Sequence, residues 1–297
     1  MKLTERFSEG CFVITGEVGP AKGADASEAL RGAATMASVV DAVNVTDSQS
    51  AVMRLGSIAV SRLLKDAGIE PVFQLTCRDR NRIALQSDLL SAAALAIENV
   101  LCITGDHTVL GDHAEAKKVF DLDSVQLLAA AKGLCEGQDL AGHEVDPPPD
   151  LCLGAVVNPG SDDLEMQLLK MRKKIDAGAE FFQTQAVFEP SSFARFMEEA
   201  ARFGVPVMVG IVPLKSAGMA AYMNDNIAGI RIPSEIVDRL AQTPKADRKK
   251  VSIEIAADLV RQMKAFCQGV HLMPLGWDDL VAPILDQAGL VAAPPAG

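Results

Sequence analysis

Glu17, Asp106 and Gln185 each sit near the end of a short apolar run, where a polar side chain can meet a ligand. Glu17 closes the run FVITGE. Strand alternation would put Val13, Thr15 and Glu17 on one face and Ile14, Gly16 and Val18 on the other. A carboxyl group inside a closed sheet would be desolvated and keep its proton, as a general acid requires. A strand-end carboxylate paired with a loop cation is the plainer reading, and spacing alone does not choose between them. Asp106 follows Thr104-Gly105 in the segment ITGD. Glycine there would let backbone approach a flat ligand closely, and the carboxylate could pair with an amidine-like N–C–N edge. An Asx-turn opening the next loop would place the same residues. Gln185 carries donor and acceptor together, the equipment for reading a heterocycle, although a buried structural Gln is as common. His107 and His113 have no acid or Cys partner at metal-ligand spacing, so no metal site is expected. Arg78, Arg80 and Arg82 could grip an anion at a helix start or simply solvate that start.

These residues need a frame. Short β-branched runs at 12–18, 41–46, 71–76, 100–104, 151–157, 180–185, 206–212 and 269–274 read as strands. Helical patterns lie between them at 25–39, 51–67, 82–97, 123–134, 162–177, 190–203, 233–242 and 247–267. Asp-Ala-Gly recurs at 66–68 and 176–178, each time just before a strand, so Gly68 and Gly178 are expected to cap helices. Nearly every strand ends in polar residues, which is how a parallel (β/α)8 barrel assembles an active site at one face. No GxGxxG follows the first strand, which argues against a dinucleotide-binding open sheet. The expectation is an α/β protein, a single (β/α)8 TIM barrel over residues 1–297, with a frayed tail at 292–297.

Composition agrees. Hydrophobic residues make up 49% of the chain but only one Trp and one Tyr are present, so aliphatic side chains must fill the core. A formal charge of −11 makes nucleic acid an unsuitable partner. Six cysteines without a CxxC pair point to a reducing compartment. Glu5 and Arg6 precede any apolar run, so no signal peptide is expected; Glu98 interrupts the best apolar stretch, so no membrane span is. A cytoplasmic location follows as an expectation.

The order of these segments resembles the methylenetetrahydrofolate reductase family of flavin-dependent barrels. The resemblance rests on VITGEVGP (13–20), Val45-Thr46, QLTCRDR (74–80), ITGD (103–106), KKIDAGA (173–179), Thr184-Gln185, GIVP (210–213) and GVHLMPL (269–275), in that order. It implies that Glu17 protonates the folate amine, that Asp106 contacts the pterin near the flavin, and that Gln185 hydrogen-bonds the pterin. It implies flavin contacts at Thr46, Gln74, Thr76, Thr104, Gly105, Asp106 and Lys174, with Lys174 suited to phosphate and Gln74 standing where the family has a His. The implied cofactor is FAD, the substrate a folate, and the chemistry a hydride moving between flavin N5 and the one-carbon unit.

The chain also departs from that pattern. Gly16 and Val18 flank Glu17 in place of Phe, and Thr104 replaces an Arg. Val-Val-Asn-Pro-Gly replaces a Tyr and His near the adenosine, which leaves room for FMN. Lys215-Ser216-Ala217 and Met273-Pro274 stand where stacking aromatics are usual, so the electron partner is left open between NAD(P)H and another donor. Two rival readings are a flavin-free pterin-binding methyltransferase barrel and a non-catalytic barrel subunit of a one-carbon complex. A phosphate-handling aldolase is disfavoured, since no Gly-rich turn follows the last strands. A homo-oligomer is neither supported nor opposed by the sequence.

Overall fold

A computed structural model describes residues 1–290; the expected frayed tail at 292–297 lies outside them. Eight parallel strands close into a barrel in sequence order: β1 (Val13–Val18), β2 (Ala42–Val45), β3 (Pro71–Thr76), β4 (Asn99–Ile103), β5 (Cys152–Val157), β6 (Phe181–Ala186), β7 (Val207–Ile211) and β8 (Gly269–Leu272). The helices are α1 (Leu3–Ser8), α2 (Ser27–Met36), α3 (Ser57–Asp66), α4 (Arg82–Ala94), α5 (Ser124–Cys135), α6 (Leu164–Asp176), α7 (Pro190–Ala200), α8 (Ala217–Asn226), α9 (Ser234–Gln242), α10 (Arg248–Met263) and α11 (Val281–Gln287). The TIM barrel read from the sequence is therefore the observed fold. No described helix is long and apolar enough to cross a membrane.

Local chemistry sets the boundaries. Gly68 (φ +76°) and Gly178 (φ +114°) end α3 and α6 in the left-handed region. Asp123 and Gln126 form a reciprocal capping box at the start of α5, with bonds of 2.8 and 3.0 Å. The helix expected from residue 51 begins at Ser57 instead. Residues 49–51 form a tight turn, and Ser48, Ser50 and Ala51 all carry positive φ. The backbone N–H of Ser50 donates to Asp106 (3.1 Å) and that of Met53 to Asp112 (3.0 Å), which holds this loop against the one after β4. Helices α1, α8 and α11 were not expected.

The strand alternation sorts the core into two parts. Ile14, Val43, Phe73, Val100, Leu153 and Val270 face outward under the helices. Val13, Ala42, Val72, Leu101, Phe181 and Met208 fill the lower barrel, where Leu3 and Phe7 of α1 join them. The Leu3 N–H donates to Asn99 Oδ1 (2.8 Å), and the Phe7 and Phe181 rings lie 6.3 Å apart. Gly154 makes room for this packing, because a Cβ there would come within 2.3 Å of Phe181 Cζ. The barrel is thus closed with hydrocarbon at its lower end.

Cys77, Cys102, Cys152 and Cys267 are buried, while Cys11 and Cys135 are partly exposed. Burial pushes the Cys77 and Cys152 thiols up to about 12 and Cys267 to about 11. Burial pushes the Cys135 thiol up as well, and thiolate is the reactive form, so a thiol reagent at pH 8 should modify only Cys11 quickly in the folded protein, and all six cysteines once it is unfolded. A second fast thiol in the native protein would contradict this packing.

Candidate active site

Glu17 points into the barrel, as the alternation requires, and is 8% exposed. Its Oε2 accepts a hydrogen bond from Gln74 Nε2 at 3.0 Å. His271 Nε2 lies 3.5 Å from the same oxygen. Beneath them, His271 Nδ1 is bonded to Thr15 Oγ1 (2.9 Å), and Thr15 Oγ1 accepts from Gln183 Nε2 (3.2 Å). Gln183 and Asn44 then exchange bonds through their amides, at 2.7 and 3.1 Å. Five strands thereby tie one polar network together above the hydrocarbon floor. No loop cation pairs with Glu17 among the described residues, so the plainer sequence reading fails.

The rim carries the other candidates. Asp106 is exposed beside Gly105, which has φ +88°. A Cβ at Gly105 would come within 3.0 Å of Thr76 Cβ and 3.2 Å of Arg78 Cβ, so a side chain here would push β3 aside. Asp106 is held by the Ser50 N–H of a different loop rather than by an Asx-turn of its own. Thr104 is exposed next to it. Gln185 is exposed too, with no side-chain hydrogen bond among the described residues, because a register shift between Gln183 and Ala186 bulges β6 against β7. Thr184 Oγ1 fixes the bulge by donating to Gln185 O (2.7 Å) and accepting from Gly210 N (2.8 Å). The structure brings Glu17 together with Gln74 inside the wall and leaves Asp106 and Gln185 as free polar groups above it.

Asp47 follows Thr46 just beyond the end of β2. It is 5% exposed and accepts from Thr76 N (2.9 Å), Thr76 Oγ1 (2.7 Å) and Arg80 Nη1 (2.7 Å). Arg80 also reaches Asp88 (2.7 Å), so it braces the β2 and β3 ends. Arg78 pairs with Asp79 (2.6 Å) and Arg82 with Asp121 (2.9 Å). All three arginines are thus bound to carboxylates.

A flavin fits what remains. The Thr46 hydroxyl oxygen is buried with no partner. The Lys174 ammonium donates to Val156 O (2.6 Å) and meets no carboxylate within ion-pair distance among the described residues. Burial first, and the Lys170 charge second, push the pKa of Lys174 down. A half-buried ammonium without a counter-ion is suited to an incoming phosphate. Beyond β5, Asn158 donates to Ala228 O (3.1 Å), and Gly160 packs against Gly229 O. Near Lys215, the one Trp, Trp277, has the Lys215 and Lys249 ammonium groups 5.4 and 5.6 Å from its ring centroid, so its ring is already engaged by cations.

The family model for methylenetetrahydrofolate reductase matches residues 2–289. The chain belongs to this family. It is 26% identical over 255 residues to methylenetetrahydrofolate reductase 2 of Schizosaccharomyces pombe, covering 79% of this chain and 38% of that one. It is 27% identical over 202 residues to the 5,10-methylenetetrahydrofolate reductase of Salmonella typhimurium, covering 65% and 61%. The chain therefore spans well under half the length of its eukaryotic relatives. Among solved structures, an uncharacterised Clostridium thermocellum protein that binds two copies of 5-methyl-5,6,7,8-tetrahydrofolic acid shares the fold, with a TM-score of 0.67, 16% identity, and coverage of 97% of this chain and 100% of that one.

Proposed function

We propose that this member of the family is a flavin-dependent oxidoreductase that interconverts 5,10-methylenetetrahydrofolate and 5-methyltetrahydrofolate. The observation that carries the reading is the buried Glu17 carboxyl, hydrogen-bonded by Gln74 and 3.5 Å from His271, beneath a rim bearing Asp106 and Gln185. A bound flavin supplies hydride exchange with the one-carbon unit. Glu17 holds the proton exchanged with the folate amine, opening or closing the methylene bridge. Asp106 keeps one oxygen free of Ser50 for the amidine edge of the pterin, and Gln185 offers its amide to the same ring. Orientation of the two rings by these groups accounts for much of the rate.

Thr46, Thr76, Thr104 and the Gly105 backbone are proposed to meet the flavin ring side, and Lys174 its phosphate. Gln74 is proposed to act beside the ring while fixing Glu17. FAD is the proposed cofactor, with FMN the alternative because Asn158 to Gly160 offers no aromatic for adenine. Lys174→Met should raise the flavin Kd by about 10- to 100-fold, as expected when a charge-assisted hydrogen bond is lost. Fluorescence titration checks this without turnover, and an unchanged Kd would remove Lys174 from the flavin site.

The engaged Trp277 and the replacement of aromatics at Lys215-Ser216-Ala217 leave no open stacking surface at those positions. Slow oxidation of NADH is therefore expected beside prompt reduction of the flavin by methyltetrahydrofolate. An anaerobic visible spectrum before and after methyltetrahydrofolate tests the whole reading. Bleaching of the flavin band supports it. A protein that stays colourless with FAD and FMN supplied overturns it, in favour of the flavin-free pterin-binding barrel.

A further inference from the structure

The polar network below Glu17 has a direction, and the amide pair at its far end sets that direction. Gln183 Nε2 donates to Thr15 Oγ1 at 3.2 Å, so the Thr15 hydroxyl has its own proton free for its remaining neighbour. That neighbour is His271 Nδ1 at 2.9 Å, which must then act as the acceptor. A neutral imidazole whose Nδ1 accepts carries its proton on Nε2. Nε2 faces Glu17 Oε2 at 3.5 Å. A carboxylate needs donors; Gln74 supplies one at 3.0 Å, and on the other side the His271 Nε2 stands at ion-pair distance.

We propose that the Asn44–Gln183 pair is a positioning device that holds His271 in its Nε2–H tautomer, so that the imidazole turns its N–H toward Glu17. The two amides bond to each other at 2.7 and 3.1 Å while Gln183 Nε2 also meets Thr15, so the end that meets Thr15 can change only if both amides turn together. Reversing that end would reverse every bond above it. Thr15 would donate to Gln183, His271 would donate from Nδ1, and the bare Nε2 would face the carboxylate. Asn44, Thr15, Gln183 and His271 are all buried, so water does not compete for these bonds. Asn44 is the register partner of Glu17 on β2, but neither Asn44 nor Gln183 is hydrogen-bonded to Glu17; both act through Thr15 and His271. The bonding order stands without reference to substrate, whereas its effect on turnover rests on Glu17 acting on folate as proposed above.

The test is the tautomer of His271, read by long-range proton–nitrogen correlation spectroscopy on ¹⁵N-labelled protein. His271 is the one buried histidine among the described residues, and its signals are assigned by their loss in His271→Gln. The expected wild-type pattern is Nε2 protonated and Nδ1 bare. Gln183→Glu keeps the shape but presents an acceptor to Thr15, so the pattern should invert. Thr15→Val removes the link and should give a mixture of both tautomers, while Thr15→Ser should keep the wild-type pattern. For Gln183→Glu, kcat with folate should fall by about a hundredfold with KM little changed, since a wrongly held tautomer can cost about 10⁴ in a hydrolase. A wild-type Nδ1–H pattern overturns the proposal. So does an Nε2–H pattern that persists in Gln183→Glu, or in Thr15→Val should the first variant fail to fold. If the tautomers behave as expected but folate is not turned over at all, the lock stands and the proposed reaction falls.

Discussion

Replacing Glu17 by Gln should lower folate-dependent turnover by about 10²- to 10⁴-fold, the range a positioned general acid supplies. The amide keeps the size of the side chain and can still accept from Gln74, so the barrel should fold and retain its flavin. What is lost is the proton. Rapid-mixing measurements of flavin reduction by methyltetrahydrofolate would show the defect directly. Reduction by an artificial donor such as dithionite should be unaffected, which separates a chemical fault from an empty site. Turnover within tenfold of wild type would remove Glu17 from the mechanism and favour a barrel that binds folate without acting on it.

Asp47→Ala should destabilise the protein by about 3 kcal/mol, at the lower end of the range for breaking a buried ion pair. Asp47 holds two donors of Thr76 and the Arg80 guanidinium at 2.7 Å, all between the ends of β2 and β3. Removing it leaves the Thr76 N–H and hydroxyl without their acceptor. Arg80 keeps Asp88, which limits the loss. Urea unfolding should show the midpoint falling with an unchanged slope. Asp47→Asn retains an acceptor for Thr76 and should cost less. A loss under about 1 kcal/mol for the alanine variant would mean that this cluster behaves like a surface pair.

The strands were legible because each is a compact β-branched run buried on both sides, and the observed ends differ from the expected ones by a residue or so. The inward face of β1 was legible for the same reason. The helices that escaped notice are short or carry little contrast between their faces. Helix α8 reads AGMAAYMNDN, and its start depends on Ser216 Oγ accepting from Met219 N, a bond that resembles any serine turn in the sequence. The site divides in the same way. Glu17, Asp106 and Gln185 lie at strand ends, where position alone suggests chemistry. The partners of Glu17 do not. Gln74 is 57 residues away and His271 lies at the opposite end of the chain, and which inward residues share a level depends on the stagger of the closed sheet. The pairing of Arg80 and Arg82 with acids was hidden because Asp47 and Asp121 come from separate loops. The bulge that turns Gln185 outward leaves no mark in the apolar pattern of β6.

The hydrocarbon floor formed by Leu3, Phe7 and Phe181 closes the lower end of the barrel. Protons would then reach the Glu17 network from above, by the route proposed for the ligands. A folate seated on the rim as proposed would then act as a stopper, and the number of protons beneath it would be fixed at the moment it binds. Single turnovers of the closed complex should therefore be indifferent to the pH of the surrounding buffer, and acidity should govern only how many molecules enter the cycle correctly loaded.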